Sequence, residues 1–85
     1  MSFPCPCCGY LTFDEEPLGT FEICPVCFWE DDNVQNNDPS YDDGANRISL
    51  IQAKKNFLQF GAIQEKFISS VRNPLPSELP EKWNK

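Results

Sequence analysis

The chain has 85 residues, enough for one small domain whose limited core commonly needs a metal ion or another cross-link. Its formal net charge is −6 and its seven basic residues are scattered, so we expect no binding to the phosphate backbone of nucleic acids. No apolar run approaches the ~20 residues that span a membrane, and we expect a soluble protein without membrane contact.

The first four residues lead directly into a cysteine-rich segment, without the basic and apolar regions of a secretion signal. Disulfide frameworks belong to secreted chains, whereas thiols stay reduced inside the cell. We therefore expect the five cysteines to be reduced and the protein to be cytoplasmic.

Two cysteine pairs carry the strongest signal in the sequence. Cys5 and Cys8 form the first pair, Cys24 and Cys27 form the second, and fifteen residues separate the pairs. The pattern C-x2-C-x15-C-x2-C is typical of structural zinc, and the proline after the first cysteine of each pair favours a tight metal-binding turn, or knuckle. We predict that these four thiolates hold one Zn²⁺.

Two residues of the knuckles depart from the simplest pattern. A residue tolerant of positive φ suits the end of each knuckle, where the first has Gly9 and the second has Phe28, at which glycine would be more comfortable. Cys7 is left over inside the first knuckle. We interpret it as a small side chain that points away from the metal. The alternatives are a redox-responsive thiol and a ligand that substitutes for Cys8.

Between the knuckles, residues 10–13 and 21–23 are short β-prone runs, with turn residues at Pro17 and Gly19. A hairpin formed by these two runs would bring both knuckles to its open end, which is the geometry of a zinc ribbon. The sequence therefore predicts a knuckle and hairpin unit over residues 3–29.

The segment 30–47 is polar and acidic, and we predict a solvated loop. A calcium-binding EF-hand loop that began at Asp31 would need glycine and glutamate where the sequence has Asn36 and Asp42, so that pattern fails. We expect this loop to contact a basic protein partner, with the aromatic residues Trp29 and Tyr41 exposed beside its acidic residues Glu30, Asp31, Asp32, Asp38, Asp42 and Asp43.

Helices are predicted over residues 49–72. Ser49 has the pattern of an N-cap, Gly61 is a good stop, and the apolar face between them is formed by Leu50, Ile51, Ala53, Phe57, Leu58 and Phe60. We expect this helix to cover the hairpin, and a shorter helical run to follow over residues 63–71. The domain is assigned to residues 1–73. Residues 74–85, with three prolines, are predicted to be an extended tail that packs back on the domain, is disordered or docks a partner.

The metal site predicts binding more strongly than catalysis. Four thiolates saturate a tetrahedral ion, and without histidine most general-base chemistry is missing, so we expect no enzyme. Carboxylate catalysis by Glu30, Asp31 or Asp32 is a less favoured alternative. The knuckles also look like those of a rubredoxin, in which iron in a four-cysteine site carries single electrons. Phe28, in place of the usual glycine, and the long segment beyond the site favour zinc.

A wider resemblance covers residues 3–76. It rests on the motifs Cys5-Pro6-Cys7-Cys8-Gly9-Tyr10, Ile23 to Asp32, Gly44-Ala45-Asn46, Ser49-Leu50 and Asn56 to Gly61. In these motifs the chain resembles the bacterial cysteine-rich CPCC family, whose function is uncharacterised. The resemblance implies a small zinc-ribbon-like protein and no catalytic residue. We predict a small α+β metal-bound domain, with a zinc-ribbon or rubredoxin-like hairpin covered by an amphipathic helix, that acts as an acidic protein-interaction module.

Overall fold

The computed structural model of the chain describes residues 2–80. These residues form a small domain with one two-stranded antiparallel sheet, two α-helices and two short 3₁₀ helices. In chain order the elements are β1 (Phe3–Pro4), β2 (Leu11–Phe13), α1 (Asn33–Asn37), α2 (Leu50–Phe60) and the 3₁₀ helices Glu65–Ser70 and Pro76–Glu78.

The strands pair across each knuckle and not between the knuckles. In the sheet Phe3 is opposite Phe13, and an isolated antiparallel bridge joins Ile23 to Glu30 on the two sides of the second knuckle. The predicted pairing of residues 10–13 with residues 21–23 is therefore wrong. Each knuckle reverses the chain, so the segments before and after it run antiparallel and lie close together. Pairing these two segments closes a shorter loop than pairing residues 10–13 with residues 21–23 would require, and it therefore costs less entropy. Phe21 also has a φ of 62°, which interrupts an extended strand.

Helix α2 begins and ends where the sequence predicts. The Ser49 hydroxyl accepts a hydrogen bond from the Gln52 N–H at 3.1 Å, and Gly61 has a left-handed φ of 83°. The buried face is narrower than predicted, because Ile51 is 47% exposed and Leu58 is 85% exposed. A domain this small offers only one surface for packing, and the stripe of Leu50, Ala53 and Phe57 is sufficient to meet it.

The segment 30–47 is a solvated loop only in part: residues 38–43 are exposed and irregular, whereas for the rest of the segment that prediction is wrong. It contains helix α1, whose N-cap Asp32 accepts hydrogen bonds from the N–H groups of Val34 and Gln35 at 2.9 and 3.4 Å. Asp31, Asp32, Gln35 and Asn46 are all buried. These polar groups are buried because they hydrogen-bond to one another and to the backbone, which removes the cost of desolvation.

Gln35 lies at the centre of this buried network. Its amide donates to the carbonyls of Tyr41 and Ile48 at 2.9 and 2.8 Å, and its Oε1 accepts from the side chain of Asn46 at 2.9 Å. A Cβ added to Gly44 would lie only 2.5 Å from the Gln35 side chain, so the backbone approaches too closely for any other residue. The network therefore fixes the path of the acidic segment.

The chain after α2 folds back towards the knuckles. The predicted second helical run is a 3₁₀ helix, Glu65–Ser70, and the proline-rich segment contains a 3₁₀ turn, Pro76–Glu78, that lies against β2. Arg72 forms a two-pronged ion pair with Glu78, with N–O distances of 2.9 and 2.8 Å, and this pairing lowers the pKa of Glu78. As far as residue 80, then, the predicted tail packs back on the domain. The rest of it, including Trp83, lies outside the described residues.

The cysteines are in the core and not on its edge. Cys5, Cys7, Cys24 and Cys27 are buried in one cluster with the apolar side chains of Phe13, Val26, Trp29, Leu50, Ala53 and Ile63. A metal bound there would be part of the core. Between residues 2 and 80, no helix combines the length and the apolar character needed to cross a membrane.

Candidate metal centre

The structure brings the four predicted cysteines together. The sulfur atoms of Cys5, Cys8, Cys24 and Cys27 all lie within 4.8 Å of one another, and the Cys5–Cys27 and Cys8–Cys24 distances are 3.6 and 3.7 Å. A tetrahedral ion with metal–sulfur bonds of about 2.3 Å requires sulfurs about 3.8 Å apart. The spacing therefore fits a four-thiolate metal site, which is the geometry of zinc or of iron bound to sulfur.

The two knuckles have the same backbone geometry. In each, the carbonyl of the first cysteine accepts a hydrogen bond from the residue four positions later, from Gly9 to Cys5 at 2.9 Å and from Phe28 to Cys24 at 2.8 Å. In each, the sulfur of that first cysteine also accepts a backbone N–H from two positions later, at 3.4 Å. These N–H groups offset part of the negative charge that a thiolate carries.

Sequence reasoning missed one polar neighbour of the site. The Thr12 hydroxyl, on β2, lies 3.1 Å from the Cys24 sulfur, where it can donate to a thiolate. Thr12 lies between two apolar residues of a β-prone run. Successive side chains of a strand point to opposite faces, so this alternation could have indicated that Thr12 points to a different face from its neighbours. Thr12 is a supporting residue and not a ligand.

Four buried thiolates this close together repel one another, so without a cation the four sulfurs do not all ionise. Burial raises the pKa of Cys5, and the sulfur of Cys24 raises the pKa of Cys8 and of Cys27, whereas hydrogen bonds from Cys27 and the other thiols lower the pKa of Cys24. In the absence of metal the four buried sulfurs therefore do not all ionise, and the cluster keeps protons. A divalent cation replaces those protons.

Metal affinity is accordingly expected to rise with pH. Because the thiols hold protons below neutral pH and the metal must displace them, the apparent dissociation constant should increase at least about tenfold for each pH unit lost below neutrality. Competition with a chromophoric chelator, measured between pH 6 and 8 and corrected for the chelator's own protonation, provides the test. An affinity that is the same across this range would contradict the assignment of thiolate ligands.

Phe28 adopts the glycine-like conformation that its position in the second knuckle predicts. Its φ is 75°, close to the 81° of Gly9. For a residue with a side chain this conformation costs about 1–2 kcal/mol. The Phe28 ring stacks on Phe67 with centroids 4.1 Å apart, and such a pair contributes about 0.5–1.5 kcal/mol beyond its burial. The stack offsets the strain and attaches the second knuckle to the 3₁₀ helix Glu65–Ser70.

Two substitutions of Phe28 separate these effects. Phe28→Ala keeps the backbone strain and loses the stack, so we expect it to destabilise the metal-bound protein by about 2–4 kcal/mol. Phe28→Gly also loses the stack but relieves the strain, and should be less harmful than Phe28→Ala by about 1 kcal/mol. Denaturant unfolding of both variants at saturating metal measures the difference. If the glycine variant were the less stable one, the strain argument would be wrong.

Cys7 does not belong to the group of four sulfurs that could hold the metal. Within residues 2–80 the sulfurs close enough to share one ion are the four already named. Cys7 donates its backbone N–H to the Cys5 sulfur, and its side chain helps to raise the pKa of Cys27. Cys7 is nonetheless 8% exposed, which makes it part of the core. Its burial fits a small packed side chain, and that the side chain points away from the metal stays a prediction.

The chain belongs to the cysteine-rich CPCC family. The family model described as "Cysteine-rich CPCC" matches residues 3–78, nearly the whole chain, and confirms the resemblance seen in the knuckle motifs. A search of curated proteins finds none that matches.

Proposed function

We propose that this chain is a small zinc-ribbon-like protein in which Cys5, Cys8, Cys24 and Cys27 hold one structural Zn²⁺, and that it acts by binding another protein. The observation that carries the zinc proposal is the set of four core sulfurs at tetrahedral spacing on two equivalent knuckles. Four thiolates leave no open position for water, so we propose no enzymatic role. We also propose a cytoplasmic location, because thiols that hold a metal must stay reduced.

Metal analysis of protein purified from its native host tests the zinc proposal. We expect one zinc per chain and a colourless protein, because Zn²⁺ has a filled d shell. The second candidate is a rubredoxin-like carrier with iron in the same site. It is favoured by the partial exposure of Cys8, which lines a cavity open beside the first knuckle and would give electrons a short path to the surface. A red protein that contains one iron per chain and is bleached by reductant would favour the iron carrier over the zinc proposal.

Part of the predicted acidic contact surface is buried. Trp29 is fully buried and donates its indole N–H to Asn36 at 3.1 Å, so the prediction that it is exposed is wrong. Asp31 is also fully buried, and accepts hydrogen bonds from the Gly19 and Thr20 backbone and from two side chains. The buried aspartates hold the fold together and cannot meet a partner.

The exposed acidic residues of the segment are Asp38, Asp42 and Asp43, beside the exposed Tyr41. We propose that this smaller surface steers a basic protein partner. The triple variant Asp38→Asn, Asp42→Asn, Asp43→Asn is expected to slow association with the partner about tenfold at low salt.

A matched control changes the net charge by the same amount elsewhere. Asp14, Glu15 and Glu16 are exposed and lie in the chain between β2 and the second knuckle. Their amide variants remove three charges as well. If both triple variants slow association equally, the effect is one of net charge and the local surface is not the contact. If neither variant nor added salt changes the rate, the acidic proposal fails and the zinc proposal stands.

A further inference from the structure

A small cavity beside the second knuckle is lined by both apolar and charged residues. Its volume is about 120 Å³. Its lining combines apolar side chains with two cations, two amides and one carboxylate. The apolar lining residues are Ile23, Phe28, Ala45, Ile63 and Phe67, and the polar ones are Arg47, Lys66, Asn46, Gln64 and Glu30.

Within residues 2–80, the two cations of this cavity form no ion pair with a carboxylate. In the described part of the chain, residues 2–80, the ion pair found is that of Arg72 with Glu78. Among residues 2–80, no carboxylate oxygen lies within 4 Å of Arg47 or Lys66, although Glu30 lines the same cavity. In a chain with 13 acidic and seven basic residues, two unpaired cations facing one cavity are a local excess of positive charge.

Both cations extend from fixed parts of the structure. Arg47 follows Asn46, whose side chain is clamped to the Glu30 backbone by hydrogen bonds of 2.7 and 2.9 Å. Lys66 has its ammonium 5.2 Å from the centre of the Phe67 ring, which is itself stacked on Phe28. The backbone of the site is therefore fixed, whereas the two side chains are exposed and are ordered only when a ligand binds.

Backbone strain is also concentrated in these walls. Arg47 has a φ of 57° and Phe28 a φ of 75°, so two of the three described non-glycine residues in the left-handed region line this one cavity. Strain of this kind costs about 1–3 kcal/mol per residue and is found most often at binding sites. The φ of Phe28 follows from its place in the second knuckle, whereas Arg47 lies outside both knuckles and its N–H donates to the Gly44 carbonyl at 3.1 Å.

We propose that this cavity binds a carboxylate that carries an apolar side chain. Arg47 and Lys66 would take the carboxylate, and the apolar wall at Ile23 and Phe28 would take the side chain. The volume corresponds to about four water molecules and is below the ~300 Å³ of typical cofactor sites, so it admits a terminal group and not a cofactor. The carboxylate of Glu30 disfavours a dianion such as phosphate.

Binding is tested by NMR titration of the full-length, metal-loaded protein. The probes are N-acetyl-leucine, its uncharged amide N-acetyl-leucinamide, and inorganic phosphate. We expect saturable shifts at the amides of residues 28, 47 and 66 with the acid, and at least about tenfold weaker binding of the other two. A tetrapeptide that ends in a leucine with a free carboxylate is the fourth probe. If it binds more tightly than the acid, the natural ligand is a peptide C-terminus, and if it does not, the ligand is a free acid.

Variants assign the effect to the cavity. Arg47→Gln and Lys66→Gln are each expected to weaken binding of N-acetyl-leucine about tenfold, while Lys55→Gln, an exposed position of α2 that lines none of the cavities described, leaves it unchanged. Metal content and the unperturbed amide spectrum verify that each variant is folded. The proposal is overturned if the acid and the amide bind equally, if phosphate binds as well as the acid, or if neither cation variant has an effect.

Discussion

Removal of the metal is expected to unfold the domain. The strands have only two and three residues, and α2 alone has 11, so regular structure contributes little independent stability. A structural zinc site contributes about 10–16 kcal/mol, which equals or exceeds the ~5–15 kcal/mol total stability of ordinary domains. Without the ion, the core must also hold four sulfurs whose protons and charge are poorly accommodated. The free energy of unfolding is therefore expected to fall below zero.

Amide NMR spectra and far-ultraviolet circular dichroism follow this loss. After treatment with a strong chelator we expect collapsed amide dispersion and loss of the helical signal of α2, and both should return when zinc is added to the reduced protein. The control is the same chelator already saturated with zinc, which cannot extract the metal but has every other effect of the reagent. Metal-free protein that keeps its native amide dispersion would show that the core is stable without the ion.

The features that the sequence predicts correctly depend on residues close together in the chain. The cysteine spacing determines the two knuckles, and the positive φ of Phe28 follows from its place at the end of the second one. The ends of α2 are likewise encoded locally, by Ser49 and Gly61. Short-range geometry of this kind has few alternatives, so a single sequence is enough to predict it.

The errors concern residues that depend on distant partners. Asp31 is an acidic residue in an acidic run, and only its contacts with Thr20 and Asn36, 11 and five positions away, explain why it is buried. Asn46 likewise bonds to the Glu30 backbone across 16 positions. Composition favours a solvated loop for such a segment, because buried aspartate is rare unless every acceptor is satisfied. Sequence patterns do not show which partners will satisfy it.

Single serine substitutions are expected to divide the five cysteines into two classes. Cys5→Ser, Cys8→Ser, Cys24→Ser and Cys27→Ser should each weaken metal binding by more than about 100-fold, because loss of an outer-shell partner alone costs about 10–100-fold. Cys7→Ser should retain the metal, since the Cys7 sulfur lies outside the cluster and its backbone N–H, which bonds to the Cys5 sulfur, is unchanged. Metal per chain and competition with a chromophoric chelator measure both classes.

Among the four ligand positions, we expect the effect to follow burial. Cys24 and Cys27 are fully buried, so a serine there leaves an ion with three thiolates and no route for water to complete its coordination. Cys8 is only half-buried, and in Cys8→Ser a water molecule from the adjacent cavity can take the fourth position. That variant should therefore be the mildest of the four while remaining clearly weaker than Cys7→Ser. The opposite order, with metal lost in Cys7→Ser and retained in Cys8→Ser, would make Cys7 the ligand and require the first knuckle to rearrange around it.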